Sequence, residues 1–216
     1  MLRVAIDGPG GTGKSTIAKA VAEKMNLEYV DTGAMYRAIA LKAIRNNVSH
    51  EDVPAVCKML ESTEIDFQDG RIVLDGEDVS GMIRTNEISM GASNYSKIPD
   101  VRAKVDTLNR FLASTKNVIM EGRDIGTAVI PDAEVKIFMT ASPEIRARRR
   151  FEQLKMQGKE ADYDLIFDEI QKRDYQDSHR EINPLRQADD AILLDTSDMT
   201  IDENIDAIVE IVKKHR

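Results

Sequence analysis

The sequence is poor in cysteine and in positive charge. Its one cysteine, Cys57, cannot form a disulfide within the chain, and no other thiolate is available for a zinc cluster. It has 30 Lys and Arg against 38 Asp and Glu, a formal net charge of −8. This balance argues against broad capture of nucleic acid by phosphate neutralisation. Any anion site must therefore be a local cluster of basic residues.

Long hydrophobic runs are also missing. No apolar run approaches the roughly 18 residues that a membrane-spanning helix needs, and the first one meets Gly8 and Pro9 too soon for a signal peptide. With 216 residues, 42% of them hydrophobic, the chain can bury the core of one large domain, or of one domain with an insertion. We predict a cytoplasmic, monomeric protein in a reducing compartment, with no nucleic-acid or membrane partner.

Short apolar runs alternate with amphipathic segments along most of the chain. The predicted strands are 2–6, 28–30, 117–120, 135–139 and 192–194, and the predicted helices are 14–25, one ending near 46, 85–114 with a break at Pro99, 143–157, 162–180 and 201–214. Segments 65–67 and 72–74 flank a turn at 68–71 and predict an antiparallel hairpin. The pattern is typical of an α/β fold with a parallel sheet between two helical layers and an inserted subdomain at 60–100.

A glycine-rich motif lies between the first predicted strand and the first predicted helix. Residues 8–15, GPGGTGKS, match G-x-x-x-x-G-K-[ST], a loop whose N–H groups point at phosphate oxygens. Lys14 is expected to reach the β- and γ-phosphates, and the Ser15 hydroxyl to face Mg²⁺. A glycine-rich turn with a chance lysine is the alternative, but motif, position and context agree on a nucleoside triphosphate. The predicted donor site comprises Gly8, Pro9, Gly10, Gly11, Thr12, Gly13, Lys14, Ser15 and Thr16.

The fate of the γ-phosphate is a separate question. An Asn-Lys-x-Asp segment, expected in guanine-specific switch proteins, is missing from the sequence, which weakens a switch function. A transferase with a phosphorylated acceptor needs a second anion site, and arginine is suited to it because its planar guanidinium binds phosphate through two hydrogen bonds. The arginines are therefore the residues to examine.

Two candidate groups follow predicted strands, where ligands bind in parallel sheets. Thr32 and Arg37 follow the second strand, although Arg37 could equally be a solvated helix residue. Glu121 directly follows the apolar run 118–120, a position from which a carboxylate can hold Mg²⁺ through water. Arg123 can project toward the transferred phosphate, or it can simply pair with Asp124.

Two further groups lie on predicted helices. Arg146, Arg149 and Arg150 share one face of the helix 143–157, which favours either a mobile lid over the triphosphate or a solvated face paired with Glu144 and Glu152. The other group is Arg173, Asp177 and Arg180, which share a face of the next helix and can converge on a ligand. An ordinary surface ion pair is the alternative there.

Taken together, these motifs resemble the bacterial cytidylate kinases, a family of nucleoside monophosphate kinases. The resemblance covers essentially the whole chain and rests on five segments: GPGGTGKST (8–16), DTGAMYRAIA (31–40), LDGEDVSGMIRT (74–85), EGRDIGTAVIPDA (121–133) and RDYQDSHREINPL (173–185). Two positions depart from the commonest family pattern, since Thr32 is often Ser and Glu121 is often Asp.

The resemblance implies a phosphate-loop kinase core with a lid at 147–164 and a monophosphate-binding insert at 60–100. It implies transfer from ATP, with Mg²⁺, to CMP and dCMP, UMP being a poorer acceptor. Thr32, Arg37, Arg123 and Arg180 would bind the acceptor phosphate; Ser93, Arg102 and Asp124 would read the cytosine edge; Arg173 and Asp177 would hold the sugar and neighbouring phosphates. The expected catalytic residues are Lys14, Arg123, Arg149, Arg150 and Arg173, and the expected metal ligands are Ser15 and Glu121.

Two other outcomes stay open from the residues themselves. One is a different nucleotide or small-molecule kinase of the same fold, and the other is a non-enzymatic nucleotide-dependent switch. Apart from the candidate site, Met90 and Cys57 lie among apolar residues and are predicted to be buried in the core.

Overall fold

A computed structural model describes residues 1–68 and 70–215, apart from the side chains of Gln68 and Asn86. Within these residues the strands are β1 (Arg3–Asp7), β2 (Glu28–Asp31), β3 (Ile65–Gln68), β4 (Arg71–Leu74), β5 (Glu77–Asp78), β6 (Val118–Gly122), β7 (Val135–Thr140) and β8 (Ile192–Asp195). The α-helices are α1 (Lys14–Met25), α2 (Thr32–Arg45), α3 (Val53–Glu61), α4 (Asn86–Tyr95), α5 (Pro99–Thr115), α6 (Pro143–Met156), α7 (Tyr163–His179) and α8 (Ile201–Lys214). The predicted turn at 68–71 includes Asp69, which lies outside the described residues.

The central sheet has the order β2-β6-β1-β7-β8, and its neighbouring strands are parallel. Successive side chains of a strand point to opposite faces of the sheet. In β1, Val4 and Ile6 accordingly pack against α1 and α8, whereas Ala5 belongs to the core formed with α2 and α5. The predicted three-layer α/β architecture is confirmed.

A small antiparallel sheet, β3-β4-β5, lies between α3 and α4 in the chain. The predicted hairpin strands 65–67 and 72–74 are confirmed as its first two strands. Phe67, Ile72 and Leu74 are buried in the same apolar core as α2 and α4, so this sheet packs against the main domain. The subdomain role of residues 60–100 and the lid role of 147–164 stay predictions.

Three features of this region differ from what the sequence pattern indicated. Helix α3 was not predicted; it begins after Asp52, whose carboxylate accepts the Ala55 N–H at 3.0 Å. Met90 is 61% exposed rather than buried, because α4 packs inward through Ile88 and Ala92 and Met90 lies on the opposite side of that helix. Cys57 is only half-buried.

In the part of the chain that the structure describes, no helix combines the length and the apolar character required to span a bilayer.

Candidate nucleotide site

A cavity of about 750 Å³ opens at the carboxyl ends of β1, β2 and β6. Register explains its position, since Glu121 of β6 pairs with Ile6 of β1 and Asp31 of β2. Most of the predicted site residues line this cavity: Gly10, Gly11, Thr12, Gly13, Lys14, Ser15, Thr16, Thr32, Arg37, Ser93, Glu121, Arg123, Asp124, Arg149, Arg150, Arg173, Asp177 and Arg180. The predicted site residues that lie outside its lining are Gly8, Pro9 and Arg102.

The glycine loop requires glycine for steric reasons at particular positions. At Gly8, where φ is +145°, a Cβ would lie 2.0 Å from the Met139 carbonyl oxygen. Gly11 and Gly13 have φ values of +83° and +91°, a region that side chains disfavour. Helix α1 begins after Gly13 with no side-chain N-cap bond, so its first N–H groups remain available to an anion.

Lys14 folds back over this loop. Its Nζ donates to the Pro9 carbonyl oxygen at 2.6 Å and to Thr12 Oγ1 at 3.2 Å. Burial, reinforced by the positive charge of Arg123, lowers the pKa of Lys14 to about 7. If a bound phosphate replaced these two neutral acceptors, its negative charge would favour the protonated form of the Lys14 amine.

Asp7, at the end of β1, is a buried carboxylate that sequence reasoning did not assign to the site. It accepts the backbone N–H groups of Ile125 at 2.8 Å and Gly126 at 2.7 Å. Burial raises its pKa to about 6 despite these bonds. Asp7 thereby fixes the turn that follows Glu121-Gly122-Arg123, and its position directly before the glycine motif was the available signal.

Glu121 is buried beside the loop. Tyr29 Oη donates to Glu121 Oε1 at 2.5 Å, and Ser15 is within hydrogen-bonding reach of the same carboxylate. Burial, followed by repulsion from Asp31, raises the pKa of Glu121. These surroundings of the Glu121 carboxylate therefore favour the binding of a cation beside it.

The oxygen donors of Ser15 and Glu121 suit Mg²⁺ better than they suit a metal ion that is coordinated by protein side chains alone. The described residues contain no group of three or more His, Cys, Asp or Glu arranged to bind a metal. Mg²⁺ usually takes one or two protein oxygens and completes its shell with water and phosphate oxygens. A hydroxyl at Ser15 and a carboxylate at Glu121 are hard oxygen donors of that kind.

Thr32 is the first residue of α2 and Arg37 lies in its second turn, and both line the cavity. Thr32 Oγ1 donates to the Glu121 carbonyl oxygen at 2.7 Å, and a Cβ at Gly122 would lie 2.8 Å from that hydroxyl. Arg37 Nη2 pairs with Asp31 Oδ2 at 2.6 Å. Both side chains thus have protein partners, although the Arg37 guanidinium retains further donors toward the cavity.

A cluster of two arginines and one aspartate connects the end of β6 to α7. Arg123 Nε donates to Asp177 Oδ2 at 2.9 Å, and Arg173 Nε lies 3.9 Å from the same oxygen. Burial opposes ionisation of Asp177, but the two arginines outweigh it and lower its pKa. Burial and the nearby Arg123 lower the pKa of Arg173 to about 10. One carboxylate between two guanidinium groups leaves excess positive charge for an anionic ligand.

Asp124 faces a different pair of cations, so the alternative in which Arg123 pairs with Asp124 is wrong. The Asp124 carboxylate is buried between Arg102 and Arg180, and its Oδ1 lies 3.0 Å from Arg180 Nη2. Arg102 also donates to the Ser96 carbonyl oxygen at 3.2 Å. The Arg102 side chain is buried and lies outside the cavity lining.

The three candidate arginines of α6 have different partners. Arg149 donates to the Thr196 carbonyl oxygen at 2.5 Å and Arg150 to Gln153 Oε1 at 2.9 Å, and both line the cavity. Arg146 is instead buried against Gly10 and Asp174 and lies outside the cavity lining. In the described residues none of these arginines pairs with Glu144 or Glu152, so the solvated ion-pair alternative is not borne out.

Two contacts between distant residues gave no signal in the sequence. Gln176 of α7 donates to Ser93 Oγ of α4 at 2.6 Å, across 83 residues. Arg146 and Asp174 are 28 residues apart on different helices. Such pairs depend on how helices approach each other, which local patterns do not encode.

Comparison with known proteins agrees with the geometry. The profile of the family described as Cytidylate kinase matches residues 4–214. A cytidylate kinase of Caldicellulosiruptor bescii is 48% identical over 99% of this chain and 96% of its own length, and one of Clostridium perfringens (strain 13 / Type A) is 46% identical over 99% of both. A shikimate kinase of Bacteroides thetaiotaomicron covers 98% of both chains at 14% identity and a TM-score of 0.49, too low to bear on activity.

The match extends over nearly the whole chain, and the glycine loop and arginine cluster line one cavity. This protein therefore belongs to the cytidylate kinase family.

Proposed function

We propose that the protein transfers the γ-phosphoryl group of ATP to CMP and dCMP, giving ADP and the corresponding diphosphates, with UMP a poorer acceptor. The observation that carries this proposal is that the glycine loop and the cluster of Arg123, Arg173 and Asp177 line the same cavity. A triphosphate and a monophosphate together bring about six negative charges, which suits two anion sites better than one.

The glycine loop and the residues beside it would bind the phosphate donor, ATP. Backbone N–H groups of residues 10–16 would hold the β- and γ-phosphates, and Lys14 would exchange the Pro9 carbonyl oxygen for phosphate oxygens. Mg²⁺ held by Ser15 and, through water, by Glu121 would neutralise charge on the β- and γ-phosphates. Arg149 and Arg150 would approach the triphosphate from α6, within the lid at 147–164.

A separate group of arginines that line the cavity would bind the phosphate acceptor, CMP. Arg37, Arg123 and Arg180 would bind the CMP phosphate together with Thr32, and Arg173 and Asp177 would hold the sugar and the neighbouring phosphates. Ser93 and Asp124 would contact the cytosine edge, with Arg102 holding the Asp124 carboxylate from behind. An aspartate carboxylate can accept a hydrogen bond from the cytosine amino group, which uracil lacks.

The reaction needs no covalent intermediate. The acceptor phosphate oxygen is ionised at neutral pH and can attack the γ-phosphorus in line, so no general base is required. Arg123 and Arg173 would stabilise the charge that spreads over the transferred group. Exclusion of water by the lid would suppress competing hydrolysis of ATP.

The test is direct detection of CDP and ADP from CMP and Mg²⁺-ATP, with a panel of other monophosphates as competing acceptors. Lys14→Ala should abolish CDP formation, whereas Lys19→Ala, which removes an exposed lysine from the same helix, should not. Failure of the wild-type protein to form CDP would refute the proposal. ATP consumption at the same rate without any acceptor would favour a hydrolase or switch.

A further inference from the structure

A hydrogen bond joins α7 to α4 beside the cavity. Gln176 Nε2 donates to Ser93 Oγ at 2.6 Å and lies 3.4 Å from the Ser93 carbonyl oxygen. A carbonyl oxygen can only accept, so the approach to the Ser93 carbonyl favours the orientation in which the amide nitrogen of Gln176 faces Ser93. Ser93 lines the cavity, whereas Gln176 is not among the residues that line it. Gln176 thus contacts a cavity residue without belonging to the cavity wall.

This bond constrains the proton of the Ser93 hydroxyl. A hydroxyl has one proton and two lone pairs, and Gln176 occupies one lone pair. Among the hydrogen bonds of the described residues, Ser93 Oγ donates to no protein acceptor, and the Ser93 carbonyl oxygen already accepts from Ser96 Oγ at 2.9 Å. The Ser93 proton therefore remains available to a ligand in the cavity.

Asp124 is a second polar residue of the cavity lining. Asp124 is 5% exposed and pairs with the cations Arg102 and Arg180, so it offers carboxylate oxygens as acceptors. The cavity lining therefore combines a carboxylate acceptor with a hydroxyl whose donor function is favoured by Gln176. Donor and acceptor groups in one cavity select ligands with the complementary pattern.

The two pyrimidine bases differ in that pattern. Cytosine presents an amino donor beside the unprotonated acceptor N3, whereas uracil presents a carbonyl acceptor beside the donor N3–H. A hydroxyl that donates to N3 complements cytosine and leaves the N3–H of uracil without a partner. An unpaired polar group at a buried contact is the interaction that gives strong discrimination.

We propose that Gln176 is a positioning residue that holds the Ser93 hydroxyl as a hydrogen-bond donor toward N3 and so favours CMP over UMP. The inference rests on the proposed function, because it assigns a specificity role within the acceptor site. It concerns a residue outside the phosphate-binding groups, and it predicts a change in preference between two acceptors rather than a general loss of activity.

The decisive variant is Gln176→Glu, which has nearly the same shape but accepts instead of donating. A carboxylate at this position would accept a hydrogen bond from the Ser93 hydroxyl, so that only lone pairs of Ser93 Oγ would face the base. The ratio of kcat/KM for CMP to kcat/KM for UMP should fall by roughly tenfold or more, as should the ratio of their affinities without ATP. Gln176→Leu, which neither donates nor accepts, should give a smaller fall in both ratios.

Two controls separate this role from a structural one. Gln171→Glu adds the same charge at an exposed position of the same helix and should leave the ratio unchanged. In a Ser93→Ala background, Gln176→Glu should no longer alter the ratio, because the hydroxyl through which it acts is gone.

An equal loss on CMP and UMP, or an unchanged ratio in Gln176→Glu, would overturn the inference while leaving the proposed function standing. Failure of the wild-type protein to phosphorylate CMP would instead overturn the proposed function and the inference together.

Discussion

Arg146, which is buried, and Asp174, which is half-buried, form an ion pair that connects the glycine loop to α7. Arg146 Nη1 and Nη2 bind the two carboxylate oxygens of Asp174 at 3.0 and 2.5 Å, and Nη1 also donates to the Gly10 carbonyl oxygen at 3.0 Å. Asp174 immediately follows Arg173 in α7. The pair therefore fixes the donor loop relative to the helix that carries a predicted catalytic arginine.

Replacement of Arg146 tests this connection. Arg146→Leu leaves the Asp174 carboxylate and the Gly10 carbonyl without their partner, so the free energy of unfolding should fall by about 3 kcal/mol. The affinity for ATP should also fall, because the loop loses a support. Chemical denaturation and nucleotide titration measure the two effects. Arg148→Leu, at an exposed position of the same helix, is the control; equal effects in both variants would contradict the connection.

The steric requirement at Gly8 predicts an asymmetry between two glycines of one loop. Gly8→Ala puts a methyl group against the Met139 carbonyl oxygen at a positive φ, so it should destabilise the fold by about 3 kcal/mol or more. Gly10→Ala meets no atom closer than Arg123 Nη2 at 3.5 Å and should preserve stability. Thermal unfolding of both variants gives the comparison, and similar melting temperatures would be evidence against it.

The lowered pKa of Lys14 predicts a pH dependence of ATP binding. In the free protein Lys14 loses its proton near pH 7, and the bound phosphates restore the charge, so binding takes up a proton above that pH. Affinity for ATP should fall roughly tenfold between pH 6 and pH 8. Calorimetry in buffers of different ionisation enthalpy measures the proton uptake, and Lys14→Arg should lose it.

The contribution of Lys14 to the stability of the fold should change with pH in the opposite direction to its contribution to ATP affinity. The pKa of Lys14 is about 7 in the folded chain and near its ordinary value of 10.5 in the unfolded one. The unfolded chain therefore binds more protons between these values, and the Lys14 contribution to the free energy of unfolding increases as the pH rises above 7. Comparison of wild type with Lys14→Met by denaturant titration at pH 7 and 9 isolates it; no difference in slope would argue against a lowered pKa.

The carboxylate of Glu121 should matter for the metal and not for the nucleotide alone. Glu121→Gln keeps the shape and removes the charge, so the Mg²⁺ concentration for half-maximal rate should rise by about tenfold. Affinity for metal-free ATP should stay the same or increase, because a negative charge near the phosphates is gone. Glu152→Gln, an exposed change on α6, is the control. Loss of metal-free ATP binding would indicate a structural role.

Arg123 should act on transfer far more than on donor binding. Arg123→Ala removes a guanidinium from the cluster around Asp177, so kcat with CMP should fall by orders of magnitude while ATP affinity changes little. Steady-state kinetics and nucleotide titration separate the two quantities, and Arg71→Ala, at a side chain that is 63% exposed, serves as the control. Equal losses in transfer and ATP binding would remove Arg123 from the acceptor site.

Much of the fold was predictable because its elements have strong local signals. The helix predicted over 14–25 matches α1, and the buried-strand pattern at 135–139 matches β7 to within one residue. Burial was less predictable: Met90 lies among apolar residues, yet α4 packs through its other face.

The sequence alone determined the α/β alternation and the phosphate-binding loop, since both depend on residues close together in the chain. Tertiary structure decided which charges meet: Arg123 with Asp177, Asp124 with Arg102 and Arg180, and Arg146 with Gly10 and Asp174. The reason is physical. Helix and strand periodicity reflect local backbone geometry, whereas ion pairs between residues tens of positions apart form only when the packing of whole elements brings them together.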